Sequence, residues 1–178
     1  MAQEHESGFC VCLTGAESSG KTTLASDLAH RLRVPLVEET ARTYLSGRSS
    51  YTCADLLDIA RAQERAERLA LAKGSALIVS DTDTVVIAIW WREKYGVLPA
   101  EIESMLSRRT RRGYLLTVPD MPWDADPLRE HPHERQRLHR SYLRWLRADR
   151  YPHRVLEGPP EQRLRDALRQ VTRWQRAE

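Results

Sequence analysis

The stretch Gly15-Ala-Glu-Ser-Ser-Gly-Lys-Thr22 constrains this chain more than any other feature. It fits the pattern G-x-x-x-x-G-K-[ST] without a gap, and the chemistry requires each part. The two glycines let the backbone curl so that successive N–H groups converge on an anion. A helix that starts at the end of the loop adds the positive end of its dipole. Lys21 reaches the outer phosphates of a nucleotide, and Thr22 offers a hydroxyl to Mg²⁺. The chain holds 25 Arg but only three Lys. With lysine this scarce, a chance match is on the order of one in a thousand. The expected phosphate-binding set is Gly15, Ala16, Glu17, Ser18, Ser19, Gly20, Lys21, Thr22 and Thr23, with ATP as the ligand.

The flanking pattern suits such a loop. Phe9 to Leu13 is a short apolar run that reads as a buried strand, and Lys21 to Arg33 has helical periodicity through Leu24, Leu28 and Leu32. Further strands are expected at Pro35–Val37, Ala76–Ser80, Tyr114–Val118 and Arg154–Leu156. Helices are expected at Cys53–Lys73, Asp83–Lys94, Pro99–Ser107 and Glu134–Arg150, with a last one from Pro159 and Pro160 to about Arg173. Strands alternating with helices imply an α/β fold, a parallel sheet of about five strands covered on both faces. A length of 178 residues suits one domain. The expected division is a flexible 1–7 followed by a single domain over 8–178, with a lid-like segment around 119–150.

Charge is unevenly spread. Residues 1–100 carry 11 Lys and Arg against 13 Asp and Glu, while residues 101–178 carry 17 against 12. A compact polyphosphate needs only a few of those cations, so a small nucleotide is favoured over nucleic acid as the partner. The three cysteines, Cys10, Cys12 and Cys53, have no zinc spacing and read as buried apolar side chains in a reducing, cytoplasmic setting. No apolar run is long enough to span a bilayer, and no signal peptide is recognisable. A homo-oligomer is left open.

Carboxylates near the strand ends supply the remaining chemistry. Asp81 and Asp83 follow a buried strand and are candidates to hold metal or substrate, with helix capping as the alternative use. Glu39 follows the second strand and could take a proton from an attacking hydroxyl; Arg42 lies three residues on and either holds an anion or pairs with Glu39. The proline-rich loop from Pro119 to Arg129 carries Trp123 among Asp120, Asp124 and Asp126; a large aromatic in such a loop is costly to leave exposed without a use, and the alternative is that Trp123 plugs the core edge. The helix after it bears Arg135, Arg137, Arg140, Arg144 and Arg147. For most of these a solvated face is the simpler reading. His131, His133 and His139 lack a metal-binding pattern.

Taken together, the phosphate loop, Glu39-Thr-Ala-Arg-Thr-Tyr44, Asp81-Thr-Asp83 and Pro119-Asp-Met-Pro-Trp-Asp-Ala-Asp-Pro-Leu-Arg129 occur in an order that resembles the ribosylnicotinamide kinase domain of NadR-type proteins. The resemblance runs from residue 9 to about 165. Thr40 stands where that family has Tyr, and Pro127 where it has Gly. The resemblance implies transfer of the ATP γ-phosphate to the 5′-hydroxyl of nicotinamide riboside. It implies Lys21 and Thr22 at phosphate and Mg²⁺, and Asp81 or Asp83 at metal or substrate hydroxyls. Asp120, Trp123, Asp126 and Arg129 would form the substrate-side loop. A kinase of another nucleoside or nucleotide is the nearest alternative. An AAA-like regulatory ATPase is a different class, for which the Arg108–Arg112 cluster could supply a sensor arginine.

Overall fold

The computed structural model describes residues 8–48, 50–123 and 133–176. Five parallel strands form one sheet in the order β2-β3-β1-β4-β5. They are β1 (Phe9–Thr14), β2 (Leu36–Val37), β3 (Leu77–Asp81), β4 (Arg112–Thr117) and β5 (His153–Leu156). The helices are α1 (Lys21–Leu32), α2 (Thr40–Tyr44), α3 (Cys53–Ala72), α4 (Thr84–Tyr95), α5 (Ala100–Ser107), α6 (Arg135–Ala148) and α7 (Pro160–Arg176). Central β1 is bonded on both sides, with Leu13 in register with Asp81 of β3 and Leu115 of β4.

Alternation along β1 divides the core. Cys10 and Cys12 face one side, with Tyr114 and Leu116, and are covered by Val85, Val86 and Ile89 of α4 and Leu138, Tyr142 and Leu146 of α6. Val11 and Leu13 face the other side, where α1 supplies Leu24 and Leu28 and α7 supplies Ala167 and Val171. A third cluster joins helices to helices through Leu56, Ile59, Ile87, Trp91, Ile102 and Met105. Helix α4 therefore buries apolar residues against both the sheet and the outer helices. Its sequence is apolar almost all round for that reason.

Two features depart from the sequence reading. Strand β4 begins at Arg112 rather than Tyr114, because Arg112 and Gly113 pair with Cys10 and Val11. A Cβ on Gly113 would come within 2.8 Å of the Trp174 ring, so the glycine lets α7 lie close on the sheet. Cys53 is exposed at the start of α3, unlike the buried Cys10 and Cys12. No described helix is long and apolar enough to cross a membrane.

A buried charge network fixes α4. Asp83 caps that helix by accepting from Val85 N–H at 2.9 Å. Its other oxygen accepts from Arg112 at 2.9 Å, from the Tyr114 hydroxyl at 2.7 Å and from Arg109 at 3.3 Å. Arg112 also reaches Glu67 of α3 at 3.0 Å. Burial pushes the Asp83 carboxyl up, but the two guanidinium charges and its hydrogen bonds outweigh it and hold it below the usual carboxylate range. For Glu67 burial prevails over Arg112, and its carboxyl is raised.

The sign follows from these directions. Stability contributed by Asp83 is present above the unfolded carboxylate range and is lost as pH falls through its lower folded value. Asp83→Asn is expected to cost about 3 kcal/mol at neutral pH, by leaving buried guanidinium charge uncompensated, and Glu67→Gln less than half of that. Urea unfolding of both variants between neutral and acid pH checks this. A larger loss for Glu67→Gln would reverse the assignment.

Candidate active site

The phosphate loop joins the end of β1 to the start of α1 at the carboxyl edge of the sheet, where ligands of open parallel sheets bind. Its shape is set by side chains that satisfy its carbonyls. Ala16 O accepts from Ser19 Oγ at 2.7 Å and from Lys21 Nζ at 2.8 Å. Ser19 Oγ also meets Thr117 Oγ1 of β4 at 2.6 Å, and Thr117 Oγ1 reaches Thr14 O at 3.2 Å. Ser18 O accepts from Arg135 at 3.2 Å, and Ser19 O from Arg163 at 2.6 Å. Gly15, Ser18 and Gly20 all have positive φ, at 136°, 48° and 78°.

A cavity of about 460 Å³ opens in front of this loop. Residues Gly15 to Thr23 line one end, with Glu39 and Arg42 beside them. The other wall is Val86 and Trp90 of α4, Leu138 and Tyr142 of α6, and Met121 and Pro122. The Trp90 indole N–H donates to the Tyr142 hydroxyl; burial, then the charges of Glu17 and Glu39, raise the Tyr142 phenol. Glu17 and Glu39 thus line the same cavity as these two aromatic side chains. Arg42 Nε lies 3.7 Å from Glu39 Oε2.

Asp81 ends β3, and its side chain hydrogen-bonds Thr22, with the Lys21 and Arg42 charges nearby. Burial pushes its carboxyl up against those influences. Its Oδ1 is buried with no hydrogen-bond partner. An orphaned carboxylate oxygen beside a threonine hydroxyl is an all-oxygen donor set, which fits a hard divalent cation. Among the described residues no group of three His, Cys, Asp or Glu side chains could form a fuller cage.

The structure separates the two aspartates that the sequence put forward together. Thr82 adopts φ of 71°, and the turn sends Asp83 into the buried network while Asp81 stays by the loop. Both oxygens of Asp83 are committed there, which removes it from metal and substrate duty. Arg109 and Arg112 serve that same network and are buried, which takes them out of a sensor-arginine role. Asp120 is also committed: its carboxylate accepts from Arg163 and from Gly158 N–H. Trp123 lies outside the cavity lining, its ring 5.7 Å from the Arg135 guanidinium carbon. Asp124, Asp126, Arg129 and His131 lie outside the described residues.

Sequence reasoning passed over Val86, Trp90, Leu138 and Tyr142 as site residues. Each pair is spaced i, i+4 on one helix, so the cavity face was present as a pattern. Arg163 was missed as well.

A strand, phosphate loop and helix at the switch point of a five-stranded parallel sheet define a P-loop nucleotide-binding fold. The chain belongs to the AAA domain family, which matches residues 10–163. No curated protein matches by sequence. Among solved structures it is similar to NadR protein in complex with NR, at 19% identity and a TM-score of 0.71, over 92% of this chain and 50% of that one. NadR protein in complex with NAD and AMP-PNP gives 20% identity and 0.73, over 92% and 48%. Thymidylate kinase from Ehrlichia chaffeensis gives 14% and 0.65, over 93% and 98%. The chain thus spans about half the length of the NadR chains. At these identities the likeness establishes the fold of P-loop kinase domains.

A Cβ on Gly15 would sit 2.8 Å from Thr117 Oγ1 and 2.9 Å from Thr117 O, in a positive-φ conformation. Gly15→Ala is therefore expected to cost about 2 kcal/mol or more and to weaken ATP binding. Thermal unfolding with and without ATP measures both effects. A variant that melts like the parent would contradict the close approach of β1 and β4 at the loop.

Proposed function

We propose that this protein is an ATP-dependent kinase that phosphorylates the 5′-hydroxyl of nicotinamide riboside. The observation that carries the proposal is one cavity lined both by the phosphate loop, with Glu17 and Glu39, and by the aromatic side chains Trp90 and Tyr142, whose phenol feels both carboxylates. A pyridinium riboside is a permanent cation. An aromatic face with nearby carboxylates complements it, whereas the base of a neutral nucleoside offers neither the cation–π attraction nor a charge to pair. The fold shared with NadR supports the same acceptor.

In this reading Lys21 and the loop amides hold the β- and γ-phosphates and offset the charge of transfer. Glu39 would accept the acceptor's hydroxyl proton, with Arg42 beside it to orient it. Thr22 and Asp81 would hold Mg²⁺, which when bound neutralises phosphate charge. Most of the catalysis is then positioning and electrostatics.

Two rivals have their own observations. Arg42 in the cavity could meet the phosphate of a nucleoside monophosphate, as an acceptor of the thymidylate kinase type would need. The AAA family assignment favours acceptor-independent hydrolysis. A coupled ADP-release assay distinguishes them, using nicotinamide riboside, adenosine, uridine, thymidylate and no acceptor, each with and without EDTA. Release is expected with nicotinamide riboside alone, to be abolished by EDTA and by Lys21→Ala. Release without any acceptor would identify an ATPase, and preference for thymidylate a nucleotide kinase.

Trp90→Ala is expected to weaken nicotinamide riboside binding about tenfold while ATP affinity stays within about twofold. Trp123→Ala, outside the cavity lining, is expected to weaken it less. Calorimetric titration of both ligands decides; a larger effect at Trp123 would move the acceptor site to the proline-rich loop.

A further inference from the structure

Arg163 is among the largest fully buried side chains of the described residues. It belongs to α7, and it does not line the cavity. All three nitrogens of its fork donate, in four hydrogen bonds. Nε donates to Gly158 O at 2.7 Å, Nη1 to Ser19 O at 2.6 Å, and Nη2 to Val118 O at 3.0 Å and to Asp120 Oδ1. Asp120 Oδ2 accepts from Gly158 N–H at 2.9 Å, which closes the arrangement. One guanidinium thus joins three segments: the phosphate loop, the chain leaving β4, and the turn between β5 and α7.

The bond to Ser19 O bears directly on phosphate binding. The carbonyl and the N–H of a trans peptide point in opposite directions. There are no cis peptides in the described chain. Holding Ser19 O down on Arg163 therefore turns the N–H of Gly20 the other way, toward the side on which Gly20 and Lys21 line the cavity. A lysine could neutralise Asp120 but could not reach acceptors in these separate directions at once. Arg135 grips the preceding carbonyl, Ser18 O, and Met121 O at 2.9 Å. Two consecutive loop carbonyls are thereby tied, through two arginines, to the two consecutive residues Asp120 and Met121, which lead into the segment ahead of α6. Arg163 is the buried member of the pair.

We propose that Arg163, held by Asp120, is the positioning residue that sets the phosphate loop in its anion-binding conformation and fixes its register to the chain leaving β4. It acts on ATP affinity without touching ATP. The proposal rests on the reading of the loop as a nucleotide phosphate site. It assigns Asp120 to the donor side of the reaction, whereas the sequence pattern had put it with the acceptor.

The test uses the full chain with Arg163→Lys and Asp120→Asn. ATP and nicotinamide riboside affinities are measured by calorimetry, folding by thermal unfolding, and amide exchange by mass spectrometry on peptides covering Gly15 to Thr22. In folded Arg163→Lys, ATP affinity is expected to fall about tenfold and loop amides to exchange faster, with riboside affinity changed less than about threefold. Asp120→Asn keeps the three backbone bonds of Arg163. It is expected to weaken ATP about threefold, with the same selectivity, and it decides the matter if Arg163→Lys does not fold. A lowered melting temperature with unchanged ATP affinity and unchanged loop exchange would reduce Arg163 to a packing element and overturn the proposal. So would loss of riboside rather than ATP affinity in Asp120→Asn. The exchange measurement needs no nucleotide: if the unaltered protein fails to bind ATP, the phosphate reading fails, while loop exchange still shows whether Arg163 sets the loop.

Discussion

A loop that turns its N–H groups toward an anion must find partners for the carbonyls it turns away. That requirement organises much of this structure. Ala16 O is satisfied within the loop by Ser19 and Lys21, Ser18 O by Arg135 from α6, and Ser19 O by Arg163 from α7. The partners come from the far end of the chain, so the loop cannot hold its shape as an isolated turn. Buried carbonyls left without donors would each cost about 1–3 kcal/mol. Burying charged groups to avoid that cost is tolerable only because Arg163 finds Asp120 in turn.

The same logic operates on the other side of the sheet. Asp83, Arg112 and Glu67 are buried together, and their bonds hold the start of α4 against β4 and α3. Helix α4 then carries Val86 and Trp90 to the cavity at fixed height above the loop. Its outer surface is clamped by Ile87 and Trp91 in the helical cluster, so the wall cannot easily tilt. The aromatic end of the cavity therefore inherits its rigidity from a charge network that never meets a ligand. A rigid wall limits the ordering cost of binding a flat ring.

How much of this was legible depended on the range of the interaction. The phosphate loop is a contiguous motif, and the strands around it are short apolar runs, so both read directly. Asp81 and Asp83 looked equivalent because they differ by two positions; only the positive φ at Thr82 sends them to different environments. Trp90 and Tyr142 were invisible as site residues because an apolar side chain lining a cavity has the same periodicity as one in the core. Arg163 was hidden among 25 arginines. Yet it shares an i, i+4, i+8 stripe with Ala167 and Val171, the buried face of α7. A charge on an apolar stripe is a readable sign of a buried partner.

The choice of cation at each position follows from what it must do. Lys73 and Lys94 sit on exposed surface, while Lys21 lines the phosphate loop, where a thin stem with a terminal point charge can extend past the backbone to a ligand. Arg109, Arg112 and Arg163 instead stand where several acceptors in different directions must be met by one side chain in a confined space. A planar fork with five donors does this at lower hydration cost than an ammonium. Exchanging the two residue types would fail in both directions: an arginine at 21 would crowd the curled loop, and a lysine at 163 would leave carbonyls unpaired. The abundance of arginine, which suggested a basic surface when counted along the chain, is in part interior architecture. Arg109, Arg112 and Arg163 are matched there by Asp83, Glu67 and Asp120, so these arginines add paired charge to the interior and nothing to the small net excess of the composition, which suits one small polyphosphate better than an extended anionic partner.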